Sequence, residues 1–216
     1  MAAIMDPAPS LAETAYRALE EKLVTLELVP GSLVLERELA EAIGIGRTPV
    51  REAVQRLAGH GILKILPRKG LMVAPVLRSE LRQVVEARRV LERLLVVKAA
   101  ERADTGQREA LTTLAAHPDS AGEDLEKFFR LDSRLDELLE SACANPYLVQ
   151  ALSPMHIHCR RLWYLNRERL DLRQAAWLHA GLARAVSAGE GSGAVRALNG
   201  IIAILEELTG GLDSIG

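Results

Sequence analysis

The chain has 216 residues, 49% of them hydrophobic and 26% charged, enough to bury one large core or two small ones. Its formal net charge of −2 excludes a uniformly basic nucleic-acid binder, and no stretch approaches the ~20 apolar residues that cross a bilayer, so a cytoplasmic protein without membrane contact is expected. Cys143 and Cys159 lack metal-type spacing and read as reduced structural thiols.

Residues 2–9 read as a loose arm. Residues 11–28 alternate as an amphipathic helix with Ala15, Leu19, Leu23 and Leu26 on its apolar side. A short helical pattern at 36–43 is followed by Gly44-Ile45-Gly46, a tight turn into a second helix over 47–57. In that helix Thr48 is placed to cap the first turn, Pro49 suits the first helical position, and Glu52 faces the positive end of the macrodipole. Arg47, Arg51 and Gln55 project from one face while Val50, Val54 and Leu57 take another, so one side packs and the other is free to bind. Two apolar runs, 62–66 and 71–74, flank the basic turn Pro67-Arg68-Lys69-Gly70 and read as a β-hairpin wing. Between 47 and 69, Arg47, Arg51, Arg56, Lys64, Arg68 and Lys69 stand against Glu52 alone, a compact basic patch suited to phosphate.

The ordered blocks Pro30-Gly31-Ser32, Glu36-Arg37-Glu38-Leu39-Ala40, Arg47-Thr48-Pro49-Val50-Arg51-Glu52-Ala53 and Arg68-Lys69-Gly70 resemble the winged helix-turn-helix of GntR-family transcription regulators over about residues 12–76. The resemblance implies DNA contacts by Arg37, Arg47, Thr48, Arg51, Lys69 and Gly70. Arg47 and Arg51 have the forked geometry for guanine O6 and N7, whereas Arg37, Thr48 and Lys69 suit phosphate. A single head covers too few base pairs for genomic specificity, so a homodimer on a pseudo-palindromic double-stranded DNA operator is expected.

Residues 75–79 form a linker, with Ser79 able to cap the next helix. Helical patterns then run near 79–103, 107–116, 121–143, 146–166, 171–188 and 192–209, with Pro154 set to kink or divide the fourth. Strand-like alternation is absent, so the expected fold is mainly α: a winged helix-turn-helix domain at 10–76 and an all-helical ligand-binding and dimerisation bundle at 79–210.

Polar residues interrupt the apolar arcs of that bundle. With each residue turned by about 100°, Asp132 and Asp136 fall among Leu125, Phe128, Phe129, Leu131, Leu135, Leu138, Leu139 and Ala142. Two buried carboxylates four residues apart require something cationic, either a metal ion or arginines such as Arg88, Arg89 or Arg161. His179 repeats the anomaly on the next-to-last helix, as a ligand or as a hydrogen-bonded core histidine, and His158 lies at the edge of another arc. Trp163 and Tyr164 after Arg160-Arg161 read as packing residues or as the lining of an anion pocket.

This second region is similar to the FCD ligand-binding domain of the same family. The resemblance implies a small carboxylate effector, for which Arg88 and Arg161 are the candidate receptors. Metal-dependent members bind a divalent transition ion through an aspartate, a histidine four residues later and two histidines on the last helices, which points to zinc, nickel or manganese at Asp132, Asp136, His158 and His179. The second position holds Asp136 in place of histidine and the last falls near Ile201, which has no ligand atom, leaving His156 or His158 to substitute. The function expected is a repressor controlled by an organic acid. The alternatives are a regulator for which the ion itself is the signal, and a metal-assisted hydrolase using Asp132, Asp136 and His179, which would lack a nucleophile elbow or phosphate loop.

Overall fold

The computed structural model describes residues 9–210, and these divide into two compact units between Val76 and Leu77. The arm expected over residues 2–9 lies, but for its last residue, outside the described residues.

In the first unit α1 (Leu11–Val24) opens on Ser10, whose Oγ accepts the Glu13 amide at 3.1 Å, and buries Ala15, Tyr16, Leu19, Leu23 and Val24. It stops short of the expected 28. Leu26 takes a left-handed φ of 58° and the Leu28 amide bonds back to the Lys22 carbonyl, a closure that ends the helix and takes Leu26 off its apolar stripe.

The turn reading holds in detail between α2 (Glu36–Ile43) and α3 (Arg47–Gly59). Gly44 is left-handed at φ 66°, and the Ile45 amide returns to the Ala40 carbonyl. The cap is a correction: Gly46 holds that position with extended backbone, so Arg47, Thr48 and Pro49 are the first three helical residues and the exposed Thr48 makes no cap. Val50, Ala53, Val54 and Leu57 turn inward.

The wing is three-stranded. β2 (Leu63–Leu66) and β3 (Gly70–Val73) form the expected hairpin, and β1 (Leu33–Val34) adds antiparallel to the other edge of β3, pairing Leu33 with Met72 and Val34 with Leu71. Two residues carry no readable periodicity, which is why β1 escapes a sequence reading.

The second unit is all-helical: α4 (Arg78–Arg102), α5 (Thr105–Leu114), α6 (Pro118–Gly122), α7 (Leu125–Cys143), α8 (Pro146–Leu165), α9 (Leu172–Ser187) and α10 (Gly191–Gly210). Leu77, not Ser79, occupies the N-cap of α4. The pattern expected at 121–143 divides because Asp124 accepts the Lys127 amide and starts α7 afresh, leaving the short α6 before it. Pro154 leaves α8 undivided. Asp104, Asn145 and Asp171 cap α5, α8 and α9 through side-chain oxygens. The long α4 packs against α7, α8, α9 and α10, so any polar group on its inward face meets side chains from several helices at once.

Candidate nucleic-acid interface and buried polar centre

The α3 entry presents Arg47 and Thr48 in the first turn and Arg51 one turn on, all exposed. Pro49 has no amide hydrogen, so the exposed donors of this end are the Arg47 and Thr48 backbone amides, an arrangement that receives an anion. Arg51 Nε donates to Glu36 Oε2 at 3.2 Å, which holds the guanidinium against the start of α2. Arg37 pairs with Glu41 at 3.6 Å on the exposed side of α2.

At the wing tip Arg68 is left-handed at φ 63°, and Arg68 and Lys69 are exposed. Gly70 has a φ of 100°, and a Cβ there would stand 2.8 Å from both the Val34 carbonyl oxygen and Leu35 Cδ2. Gly70 is therefore half-buried against β1, and packing alone accounts for a glycine at this position.

Arg56 belongs to another face than Arg51. It donates to Glu13 at 2.8 Å and lies 3.9 Å over the Tyr16 ring, tying α3 to α1. Tyr16 Oη is 3.2 Å from His60 Nδ1, and burial, seconded by the Arg56 charge, pushes the His60 pKa below its ordinary value.

Inside the helical unit the expectation that Asp132 and Asp136 are buried and met by a cation is fulfilled by an arginine outside the three expected. Arg160, from α8, donates through Nε to Asp132 Oδ2 at 2.9 Å and through its terminal nitrogen to Asp136 Oδ2 at 2.7 Å. Arg88 instead bonds Glu92 one turn along α4, and Arg89 pairs with Glu206. Arg161 is buried, and burial draws its pKa down to about 10 against the opposing charge of Glu80.

His179 is a core residue, 2% exposed, with Nδ1 2.7 Å from the Ala175 carbonyl and Nε2 3.1 Å from Asp132 Oδ1. Phe128 and Trp163 pack their edges about its ring. Burial works to raise the Asp132 pKa, but the His179 hydrogen bond and the Arg160 charge hold it well below the usual carboxylate range. Asp136 goes the other way: burial and the neighbouring Asp132 charge outweigh His156 and Arg160, and its pKa lies above the ordinary value.

His156 joins this centre, whereas His158 is half-buried and stands outside its group of donors. His156 Nδ1 is 3.2 Å from Asp136 Oδ2 and 3.5 Å from Glu140 Oε1. Its Nε2 is buried 3.7 Å from Glu92 Oε1 without a hydrogen-bond partner. Burial opposes the imidazolium, yet the Asp136 charge and the Glu140 hydrogen bond raise the His156 pKa. Glu92, Asp136 and His156 offer ligand atoms all within 4.8 Å of one another. Glu92 and Arg160 were absent from the expected site, although each stands four residues from a partner already singled out, Arg88 and His156, the separation that shares a helix face.

Among the described residues no helix is long and apolar enough to cross a membrane. The FCD domain family model matches residues 83–203, and that of bacterial regulatory proteins, gntR family, matches residues 11–73. An HTH-type transcriptional regulator from the TAR-I ttuE-ttuC' intergenic region of Agrobacterium vitis is 31% identical over 138 residues, 61% of this chain and 80% of the relative. A probable D-xylose utilization operon transcriptional repressor of Paenarthrobacter nicotinovorans is 26% identical over 214 residues, 94% of this chain and 95% of its own length. Among solved structures, E. coli McbR/YncC superposes with a TM-score of 0.77 at 24% identity, covering 93% of this chain and 99% of that one, a likeness of fold.

Proposed function

The chain belongs to the gntR-family transcription regulators that carry an FCD domain, and from that membership we propose that it is a homodimeric repressor acting in the cytoplasm on a pseudo-palindromic double-stranded operator, released or retained by a small organic acid. The observation that carries the DNA reading is the exposed Arg47, Thr48 and Arg51 at the entry of a helix whose opposite face is packed, beside a wing tipped by Lys69. Arg47 and Arg51 read base edges, and Arg37, Thr48 and Lys69 hold phosphate. The named relatives are regulators, one of them a repressor, which favours this reading over a hydrolase.

The test is binding of the purified full-length protein to a selected operator, followed by fluorescence anisotropy across single-base variants. Arg47→Ala or Arg51→Ala is expected to cost about 1–3 kcal/mol at one base position, and Lys69→Ala to lower the salt slope by roughly one unit on every sequence. A uniform loss for the arginine variants would remove base reading, and an unchanged slope would remove Lys69 from the phosphate contacts.

The acid is read at the buried centre. Arg88 and Arg161 were the expected receptors, and Arg88 is already engaged by Glu92. An incoming carboxylate therefore competes with Glu92, Asp132 and Asp136 for the guanidinium groups of Arg88 and Arg160, which gives it a physical means of altering the packing of α4, α7 and α8. A thermal-shift screen with small carboxylic acids, with and without chelator, tests it.

A second reading makes a divalent transition ion, zinc, nickel or manganese, the signal, and the closeness of Glu92, Asp136 and His156, whose ligand atoms lie within 4.8 Å of one another, favours it. The set Asp132, Asp136, His158 and His179 does not fit such an ion. The His179 Nδ1 contact to a carbonyl suits a ligand histidine, but Arg160 already takes Oδ2 of both aspartates, His158 lies outside the donor group, and the buried Ile201 supplies no ligand.

A further inference from the structure

We propose that Glu36, at the first helical position of α2, is a positioning residue that decides how Arg51 meets a base, and that its charge also weakens binding to unrelated sequence. This rests on the DNA reading above and deepens it by naming the residue that sets the specificity of Arg51.

The geometry of the guanidinium is the first support. It has two edges that can present paired donors, a side edge that includes Nε and an end edge formed by the two terminal nitrogens. Glu36 Oε2 takes the Arg51 Nε–H at 3.2 Å, so the side edge is committed within the protein. The end edge stays open on a side chain that is 65% exposed, and its two parallel N–H groups match guanine O6 and N7. Glu36 thereby leaves one docking geometry of two and fixes the plane of the fork before DNA arrives, so less side-chain freedom is lost on binding.

The second support is that stability does not account for the pair. An ion pair this open to water contributes little to folding, and a carboxylate in the first turn of α2 suits the positive end of that helix without help from Arg51. The contact spans 15 residues and two helices, so it depends on the placement of α3 against α2 that the Gly44 turn sets. Arg47, exposed in the first turn of α3, has no carboxylate partner among the described residues. Two arginines that look alike in the sequence therefore differ in the structure, one held and one free.

The same carboxylate places a negative charge beside the basic face of α3. It repels phosphate on any sequence, while only a correctly placed base repays Arg51, and the difference between the two is discrimination.

The experiment is fluorescence anisotropy of the full-length protein on the selected operator, its single-base variants and a random duplex. The base positions read by Arg47 and Arg51 are identified first with Arg47→Ala and Arg51→Ala. Glu36→Gln is then expected to reduce the preference at the Arg51 position by about 3- to 10-fold, the scale of one side chain's lost ordering. The preference at the Arg47 position should stay within about twofold, as for an independent site. Binding to random duplex should tighten by about 2- to 5-fold, because a repulsive charge is gone. In the Arg51→Ala background Glu36→Gln should alter no base preference, since it acts through Arg51. A preference at the Arg51 position that Glu36→Gln leaves unchanged, or an equal loss at every position, overturns this inference and leaves the DNA reading standing. Random-duplex binding that does not tighten removes the repulsive role of the charge. A wild-type chain that prefers no operator over random duplex overturns the DNA reading and this inference with it.

Discussion

Arg160 does with one guanidinium what two separate cations would otherwise have to do, because its fork reaches Asp132 and Asp136 on successive turns of α7. Replacing it with methionine strands two buried carboxylates, and we expect a loss of about 3–5 kcal/mol in urea denaturation of metal-free protein, with Arg160→Lys intermediate because an ammonium cannot span both oxygens. The two aspartates should then rank differently. Asp132 is held in its ionised form and Asp136 is pushed toward its neutral form, so Asp132→Asn should destabilise at neutral pH while Asp136→Asn costs less or nothing. Equal losses would mean that Arg160 treats the pair symmetrically. The polar interruption of the α7 arc was legible from spacing, but the identity of the cation was not. Arg88, Arg89, Arg160 and Arg161 are chemically alike, and only the packing of α8 on the bundle selects among them.

Elements are where the sequence reading was most complete and where its boundaries slipped. The turn between α2 and α3 was legible because Gly44 supplies a conformation that few other residues accept, whereas the cap of α3 moved from Thr48 to Gly46, a residue whose side chain leaves no capping signature. Two glycines of this unit should respond differently. Gly44→Ala meets open space and suffers only its left-handed backbone, about 1–2 kcal/mol, while Gly70→Ala adds a clash with the Val34 carbonyl and should cost more and disrupt the β1–β3 pairing, checked by urea denaturation and amide exchange of β1. A pH prediction belongs to the junction of α1 with α3. His60 has a folded pKa below its unfolded value near 6.5, so the stability from its neutral form is complete above that value and is lost as pH falls through the folded one. Amide protection of α1 and α3 should decline between pH 7 and 5, and His60→Gln should flatten the slope. A decline that persists unchanged in the variant would assign it elsewhere.

At the scale of the whole molecule, the proposed regulation by an organic acid requires that acid to prefer one state of the protein over another, and such a preference is reciprocal. If an acid weakens operator affinity by some factor, saturating operator must weaken the affinity for that acid by the same factor, which calorimetry with and without operator duplex would measure. Unequal factors would indicate a third species in the equilibrium. The two-unit division was legible from a change in pattern near residues 75–79, where a basic helix and wing give way to helical periodicity, and the structure divides between Val76 and Leu77.

The sequence by itself determined the winged head and the helical bundle, because turn glycines, the spacing of Arg47 and Arg51, and apolar periodicity are local properties that survive without neighbours. It also marked Asp132, Asp136 and His179 as polar intrusions in a core. Only the tertiary structure decided how those charges are met: Arg160 on the aspartate pair, Arg88 on Glu92, and His156 Nδ1 between Asp136 and Glu140. Which charged groups meet in a core depends on how α4, α7 and α8 pack in three dimensions, and no periodicity along a single helix encodes that.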